Sequence, residues 1–121
     1  MVYEPDNSFG TADYLGSSLG NQYYSAQELS FGDDDFAYVY AYAGDTISIN
    51  TYSDGYYSAP VDTTVTLYND YGSQVAFDDD SGYGLDSSLS YNVQSSGYYY
   101  FNVSGYSDYS TGNYDLSVTL T

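Results

Sequence analysis

Along most of the 121 residues, apolar and polar side chains alternate one by one rather than in groups of three and four. Alternation of this kind marks a half-buried β-strand, because successive side chains of an extended chain point to opposite faces. The clearest run is 36–43, with Phe36, Tyr38, Tyr40 and Tyr42 on one face and Ala37, Val39, Ala41 and Ala43 on the other. Ala43, Gly44 and Asp45 turn the chain, and 46–52 returns with Ile47, Ile49 and Thr51 on one side. Residues 62–68 set Thr63, Val65 and Leu67 against Thr64, Thr66 and Tyr68. The turn Asn69-Asp70-Tyr71-Gly72 has glycine where a left-handed residue is wanted, and 73–77 completes a hairpin. Leu89, Tyr91 and Val93 alternate in 88–93, and Gln94 to Gly97 turn the chain again. In 98–104, Tyr99, Phe101 and Val103 are expected inward, with Tyr98, Tyr100 and Asn102 outward. Tyr114, Leu116, Val118 and Leu120 alternate to the end, and a more modest strand is expected at 22–30.

Residues 1–21 have little period and read as an irregular N-terminal arm, with a short strand or turn around 12–15. No stretch shows a 3.6-residue period. About eight strands with turn signals between them predict an all-β chain. Strands with one apolar and one polar face favour an antiparallel, two-sheet β-sandwich over a barrel. The length suits one domain able to bury a core without staples, the arm (1–21) leading into the sandwich (22–121).

Charge changes the picture. Seventeen acidic residues and no lysine, arginine or histidine give a formal charge of −17. Nucleic acid and anionic membranes are excluded as partners, since both require basic side chains against phosphate. Cations are favoured. Without cysteine there are no disulfides or thiolate metal sites. No apolar run approaches the ~20 residues of a membrane span, so no membrane insertion is expected. Met1 is followed by Val-Tyr-Glu-Pro-Asp rather than a basic and then apolar segment, so no signal peptide is expected within the sequence. Lacking His, Cys and Lys, the chain has no ordinary base, thiol nucleophile or Schiff-base amine, and no enzyme is expected. Two carboxylates can share acid–base work, as in glycosidases, but the pattern singles out no buried pair.

The stretch from Asp78 to Asp86 concentrates this charge, with Asp78, Asp79 and Asp80 in a row and Asp86 after two glycines. Like charges ~4 Å apart cost about 1 kcal/mol even in bulk water. With no protein side-chain cation to pair with, the loop is either a solvated acidic turn or a cation site. Ca²⁺ is the natural cation, because it takes six to eight oxygens from Asp, Ser and backbone carbonyls. An EF-hand is excluded, since Leu89 stands where the loop's last glutamate belongs. A calcium-binding β-roll needs stacked repeats, and only one copy is present.

Six segments in order resemble a known family. Residues 4–12 (EPDNSFGTA), 33–51 (with Asp33, Asp35, Phe36 and Ala43-Gly44-Asp45), 62–68 (DTTVTLY), 74–89, 96–106 and 112–118 are similar to the pre-peptidase C-terminal domain of bacteria. The resemblance spans nearly the whole chain. It implies a jelly-roll-like β-sandwich of the kind appended to secreted peptidases and related to the collagen-binding domains of clostridial collagenases. The arginine or lysine commonly expected near Ser88 and Tyr100 is absent. The resemblance carries over Asp78, Asp79, Asp80 and Asp86 as placed positions, with Asp62 near them. It also implies a second calcium site, joining Glu4, Asp6 and Asn7 of the arm to Asp33, Asp34 and Asp35. There the alternative is a mobile arm with exposed acids.

The resemblance implies an extracellular or cell-surface protein. Two uses are expected of such a chain. One is a Ca²⁺-holding structural subunit that self-associates into a fibre or surface layer. The other is an accessory module of a secreted hydrolase that binds protein or polysaccharide. The contact residues expected are Tyr38, Tyr40, Tyr98 and Tyr100, since tyrosine offers apolar area together with a hydroxyl. The face of Phe36, Tyr38, Tyr40 and Tyr42, or else its partner face, must point away from the core. Asn102-Val103-Ser104 is an N-glycosylation sequon, or a chance match to one.

Overall fold

The structure is a computed structural model that describes residues 13–17, 21–29, 34–52, 62–79, 86–106 and 111–121. Among these, nine strands and no helix are found: β1 (Asp13–Ser17), β2 (Asn21–Leu29), β3 (Asp34–Ala41), β4 (Thr46–Tyr52), β5 (Thr63–Tyr68), β6 (Gln74–Asp78), β7 (Ser88–Asn92), β8 (Gly97–Gly105) and β9 (Gly112–Leu120). They form a five-stranded sheet in the order β1-β3-β8-β5-β6 and a four-stranded sheet in the order β2-β9-β4-β7. The all-β sandwich expected from the alternation is the fold.

One detail departs from the sequence reading. The short strand expected within the arm around 12–15 is found as the edge strand β1, but it pairs with β3 in parallel rather than antiparallel. A parallel pair needs a long crossover. Here β2, which belongs to the other sheet, lies within it. The register of this pair shifts between Tyr14 and Gly16, where Gly16 has φ 119°.

The core lies between the sheets. The five-stranded sheet contributes Ala37, Val39, Ala41, Val65, Leu67, Tyr99, Phe101 and Val103, and the four-stranded sheet Ile47, Ile49, Leu89, Tyr114, Leu116, Val118 and Leu120. Burying one such Val, Leu, Ile or Phe side chain contributes about 1.5–3 kcal/mol. The choice of face on β3 follows from its neighbour. Ala37 pairs with Phe101 and Val39 with Tyr99, so β3's small residues share the inner face with β8's large ones. The bulky, fully buried Tyr114, Ile47 and Ile49 enter the same space from the opposite sheet. Two sheets ~10 Å apart hold large side chains from one side only where small ones face them. The tyrosines of β3 therefore point outward.

Candidate functional site

That outward choice builds the first candidate site. Tyr14 pairs with Tyr38, Tyr38 with Tyr100 and Tyr100 with Tyr68, so four tyrosines occupy one row across β1, β3, β8 and β5. Neighbouring strands lie ~4.8 Å apart, close to the distance at which aromatic rings stack. The Tyr14–Tyr38 and Tyr38–Tyr100 ring centroids are each 4.9 Å apart, the second pair stacked at 22°. The next row adds Tyr40 opposite Tyr98, edge to face at 5.0 Å, and Tyr40 meets Tyr42 at 5.2 Å. Tyr14 and Tyr98 remain 51% and 41% exposed, so the ladder is a surface rather than a second core. All four expected contact residues, Tyr38, Tyr40, Tyr98 and Tyr100, lie on it. Desolvation pushes the Tyr100 hydroxyl above its ordinary pKa, and Tyr38, Asp70 and Tyr98 push the same way.

Asn102 shares the outer face, in the row Phe36–Asn102–Thr66–Phe77. It lies at the middle of the sheet, and its side-chain oxygen is closed off from solvent. The sequon thus faces outward, as expected, but its asparagine is half-buried between neighbouring strands.

The described residues of the expected metal sites lie at one end of the sandwich. Asp34 and Asp35 open β3, and as strand neighbours they face opposite ways. Asp35 points into the core, where Tyr114 donates its hydroxyl to Oδ2 at 2.6 Å. Asp35, Val103, Val65 and Asp78 occupy one row of the five-stranded sheet. Asp35 and Asp78 are therefore three strand spacings apart, about 14 Å, too far to share one ion. Asp78 accepts the Ser88 amide at 2.8 Å, and the Asp62 carbonyl accepts the Tyr106 amide at 2.8 Å.

Around Asp79 and Asp86 the two sheets are tied by buried hydroxyls. Thr51 Oγ1 lies 2.7 Å from Thr63 Oγ1, which lies 2.9 Å from Ser87 Oγ. Ser87 Oγ is 2.6 Å from the Asp79 carbonyl and 2.7 Å from that of Thr63, and Thr51 Oγ1 accepts the Ser87 amide at 2.9 Å. Donation from Thr51 to Thr63 to Ser87 to a carbonyl uses each hydroxyl proton once. One carboxylate oxygen each of Asp35, Asp62, Asp79 and Asp86 is closed off from solvent. Among the described residues, no group of three acidic side chains is arranged to hold a metal ion. Glu4, Asp6, Asn7, Asp33 and Asp80 lie outside the described residues. No described helix is long and apolar enough to cross a membrane.

Sequence reasoning passed over the other end of the sandwich. There the β5–β6 turn, with Asp70 and Tyr71, faces the β7–β8 turn across an open cleft of about 370 Å³. The signal was present in the turn, which needs Asn69 and Gly72 for its shape but carries an acid and a tyrosine between them.

No family model matches the chain, and no curated protein matches it. Solved structures do. The pre-peptidase C-terminal domain of a collagenase from Bacillus anthracis superposes with a TM-score of 0.61 at 18% identity, over 91% of this chain and 94% of that one. A periplasmic inhibitor of g-type lysozyme, PliG from Aeromonas hydrophila, gives 0.64 at 13% identity, covering 91% and 97%. PliG from Salmonella Typhimurium gives 0.61 at 14%, covering 92% and 100%. At such identities the likeness is one of fold, and the fold is that of the pre-peptidase C-terminal domain and of PliG.

Proposed function

We propose that this chain is a non-catalytic module that works outside the cytoplasm by docking on a protein through the tyrosine-covered face of its five-stranded sheet. The observation that carries this reading is the row Tyr14–Tyr38–Tyr100–Tyr68 with Tyr40 and Tyr98 beside it. Contiguous aromatic surface kept in water marks a contact site, and tyrosine is enriched at such contacts. The structural neighbours agree with it, since one is a domain of a collagenase and two are lysozyme inhibitors. Immobilised collagen, a g-type lysozyme and a polysaccharide panel serve as probes, read by surface plasmon resonance. Binding that Tyr14→Ser and Tyr40→Ser together abolish, in a chain that melts like the parent, supports the face. Binding that survives both substitutions removes it.

A second reading is self-association into a fibre or surface layer. It is favoured by the reach of the tyrosine row to Tyr14 on the edge strand β1, where a neighbouring copy has access to both rings and backbone. A charge of −17 per copy opposes this until salt screens it, the screening length falling from about 30 Å at 0.01 M to about 3 Å at 1 M. Electron microscopy across that range distinguishes the readings. Filaments at high salt support assembly, and monomers throughout that bind a probe support the module.

Calcium at the acidic end belongs to the same proposal. Asp62, Asp79 and Asp86 each have a carboxylate oxygen closed off from solvent at this end, and taking carboxylate oxygens out of water favours a nearby positive charge. An ion bound only by the folded form raises its stability in proportion to the logarithm of its concentration. Melting with Ca²⁺ and then with chelator tests it, and an unchanged midpoint removes the ion.

A further inference from the structure

The cleft between the β5–β6 and β7–β8 turns is built from an acid among aromatic rings. Asp70 and Tyr71 line it on one side, and Tyr91, Tyr98 and Tyr99 on the other. A second open cleft of about 420 Å³ at the same turn is again lined by Asp70 and Tyr71, together with Tyr100. Asp70 thus lines two aromatic-walled hollows. Its carboxylate leans toward the β7–β8 turn, and a methyl group built on Gly97 would lie 3.7 Å from Oδ2.

The turn does not need these two side chains. Asn69 Oδ1 accepts the amides of Tyr71 and Ser73, each at 3.0 Å. Gly72, at φ 79°, supplies the left-handed residue. Asp70 and Tyr71 are left projecting, and Tyr71 is 93% exposed. A tyrosine held almost wholly in water beside a carboxylate has no role in packing. Its π-face is negative, as is the carboxylate, and no side chain of this protein carries a positive charge to answer either.

We propose that this cleft receives an arginine side chain of a basic partner protein, the guanidinium stacking on Tyr71 and pairing with the Asp70 carboxylate. A planar guanidinium suits both walls, because it stacks on an aromatic face and donates two parallel bonds to a carboxylate. A lysine ammonium makes the charge contact but not the planar one. A second copy of this chain is excluded as the occupant, since it has no arginine. The site rests on reading the chain as a binding module; it borders the ladder at Tyr98 and Tyr100, but its test turns on Asp70 and Tyr71 at the turn, so the two are tested separately.

The test uses fluorescence anisotropy with a labelled oligo-arginine peptide and a lysine peptide of equal length, at fixed ionic strength. The whole chain, at −17, attracts any polycation, so the comparison is between variants that lose the same charge at opposite ends. Asp70→Asn is expected to weaken the arginine peptide about tenfold, equivalent to about 1.4 kcal/mol, and Asp34→Asn less than twofold. Tyr71→Leu is expected to abolish the preference for arginine over lysine while leaving the melting midpoint unchanged. Equal losses from Asp70→Asn and Asp34→Asn, or no preference for arginine in the parent, overturn the proposal. Neither result bears on the tyrosine ladder, which the Tyr14→Ser, Tyr40→Ser pair, outside both clefts, reads independently.

Discussion

The Tyr114 hydroxyl donates a 2.6 Å hydrogen bond to Asp35 Oδ2 across the interior of the sandwich. Tyr114 is fully inaccessible to solvent and Asp35 nearly so, and they belong to opposite sheets. The bond therefore fixes how β3 and β9 lie over one another, a constraint that apolar packing alone leaves loose.

Tyr114→Phe removes that donor and keeps the ring. Hydrogen bonds to charged groups contribute about 1.5–3 kcal/mol, and a loss in that range is expected in urea unfolding. Tyr91→Phe, on a half-buried ring of β7, is the control and is expected to cost less than about 0.5 kcal/mol. Equal losses would sink the assignment of a special role to Tyr114.

Ser87 ties Thr51, Thr63 and the Asp79 carbonyl together at the acidic end. Ser87→Ala strips the last donor from the hydroxyl chain and leaves buried acceptors behind, at a cost of about 1–3 kcal/mol. Ser90→Ala, on the exposed side of β7 just after it, is expected to stay within about 0.5 kcal/mol. Guanidinium chloride midpoints of the two variants measure the difference.

Two glycines near the cleft are expected to respond with opposite signs. Gly72 has φ 79°, a left-handed conformation, so Gly72→Ala costs about 1–2 kcal/mol. Gly97 opens β8 without that constraint, and an added methyl meets Asp70 at ordinary contact distance. Gly97→Ala is therefore expected to gain about 0.4–1 kcal/mol by restricting the unfolded chain. Thermal melts at one pH suffice, and destabilisation by Gly97→Ala counts against the contact geometry.

Alkaline pH is expected to destabilise the fold. Burial raises the pKa of the Tyr99 hydroxyl above the ordinary 10.0, with Tyr91 and Asp70 adding to it. Tyr100 is raised as well, first by desolvation. The folded chain thus holds these protons more tightly than the unfolded one. Their stabilisation is complete below pH 10 and is lost as pH rises through the folded values. Tyrosinate absorbance and unfolding free energy, followed together, should show late-ionising tyrosines and stability falling above about pH 10. Flat stability across that range would contradict it.

Much of this protein is legible in its residue order. The period of two in 36–43, 46–52, 98–104 and 114–120 is local information, and it was enough for the strands, the two-faced sheets and the inward set Tyr99, Phe101 and Val103. The excess of acid over base was equally direct, and it limits the partners before any fold is known. Three things were decided only when the strands came together. Alternation states that β3 has two faces but not which is buried, and pairing with β8 sent its alanines in and its tyrosines out. Asp33 to Asp35 are expected from the sequence to act together in one calcium site, but in the strand Asp34 and Asp35 face opposite ways, and Asp35 meets Tyr114, 79 positions away in sequence. The cleft around Asp70 and Tyr71 joins two turns that are neighbours only because β5 and β8 pair. Side-chain period is a property of the strand itself, whereas facing, register and enclosure depend on the neighbour, and contacts between distant segments leave no periodic trace in the chain.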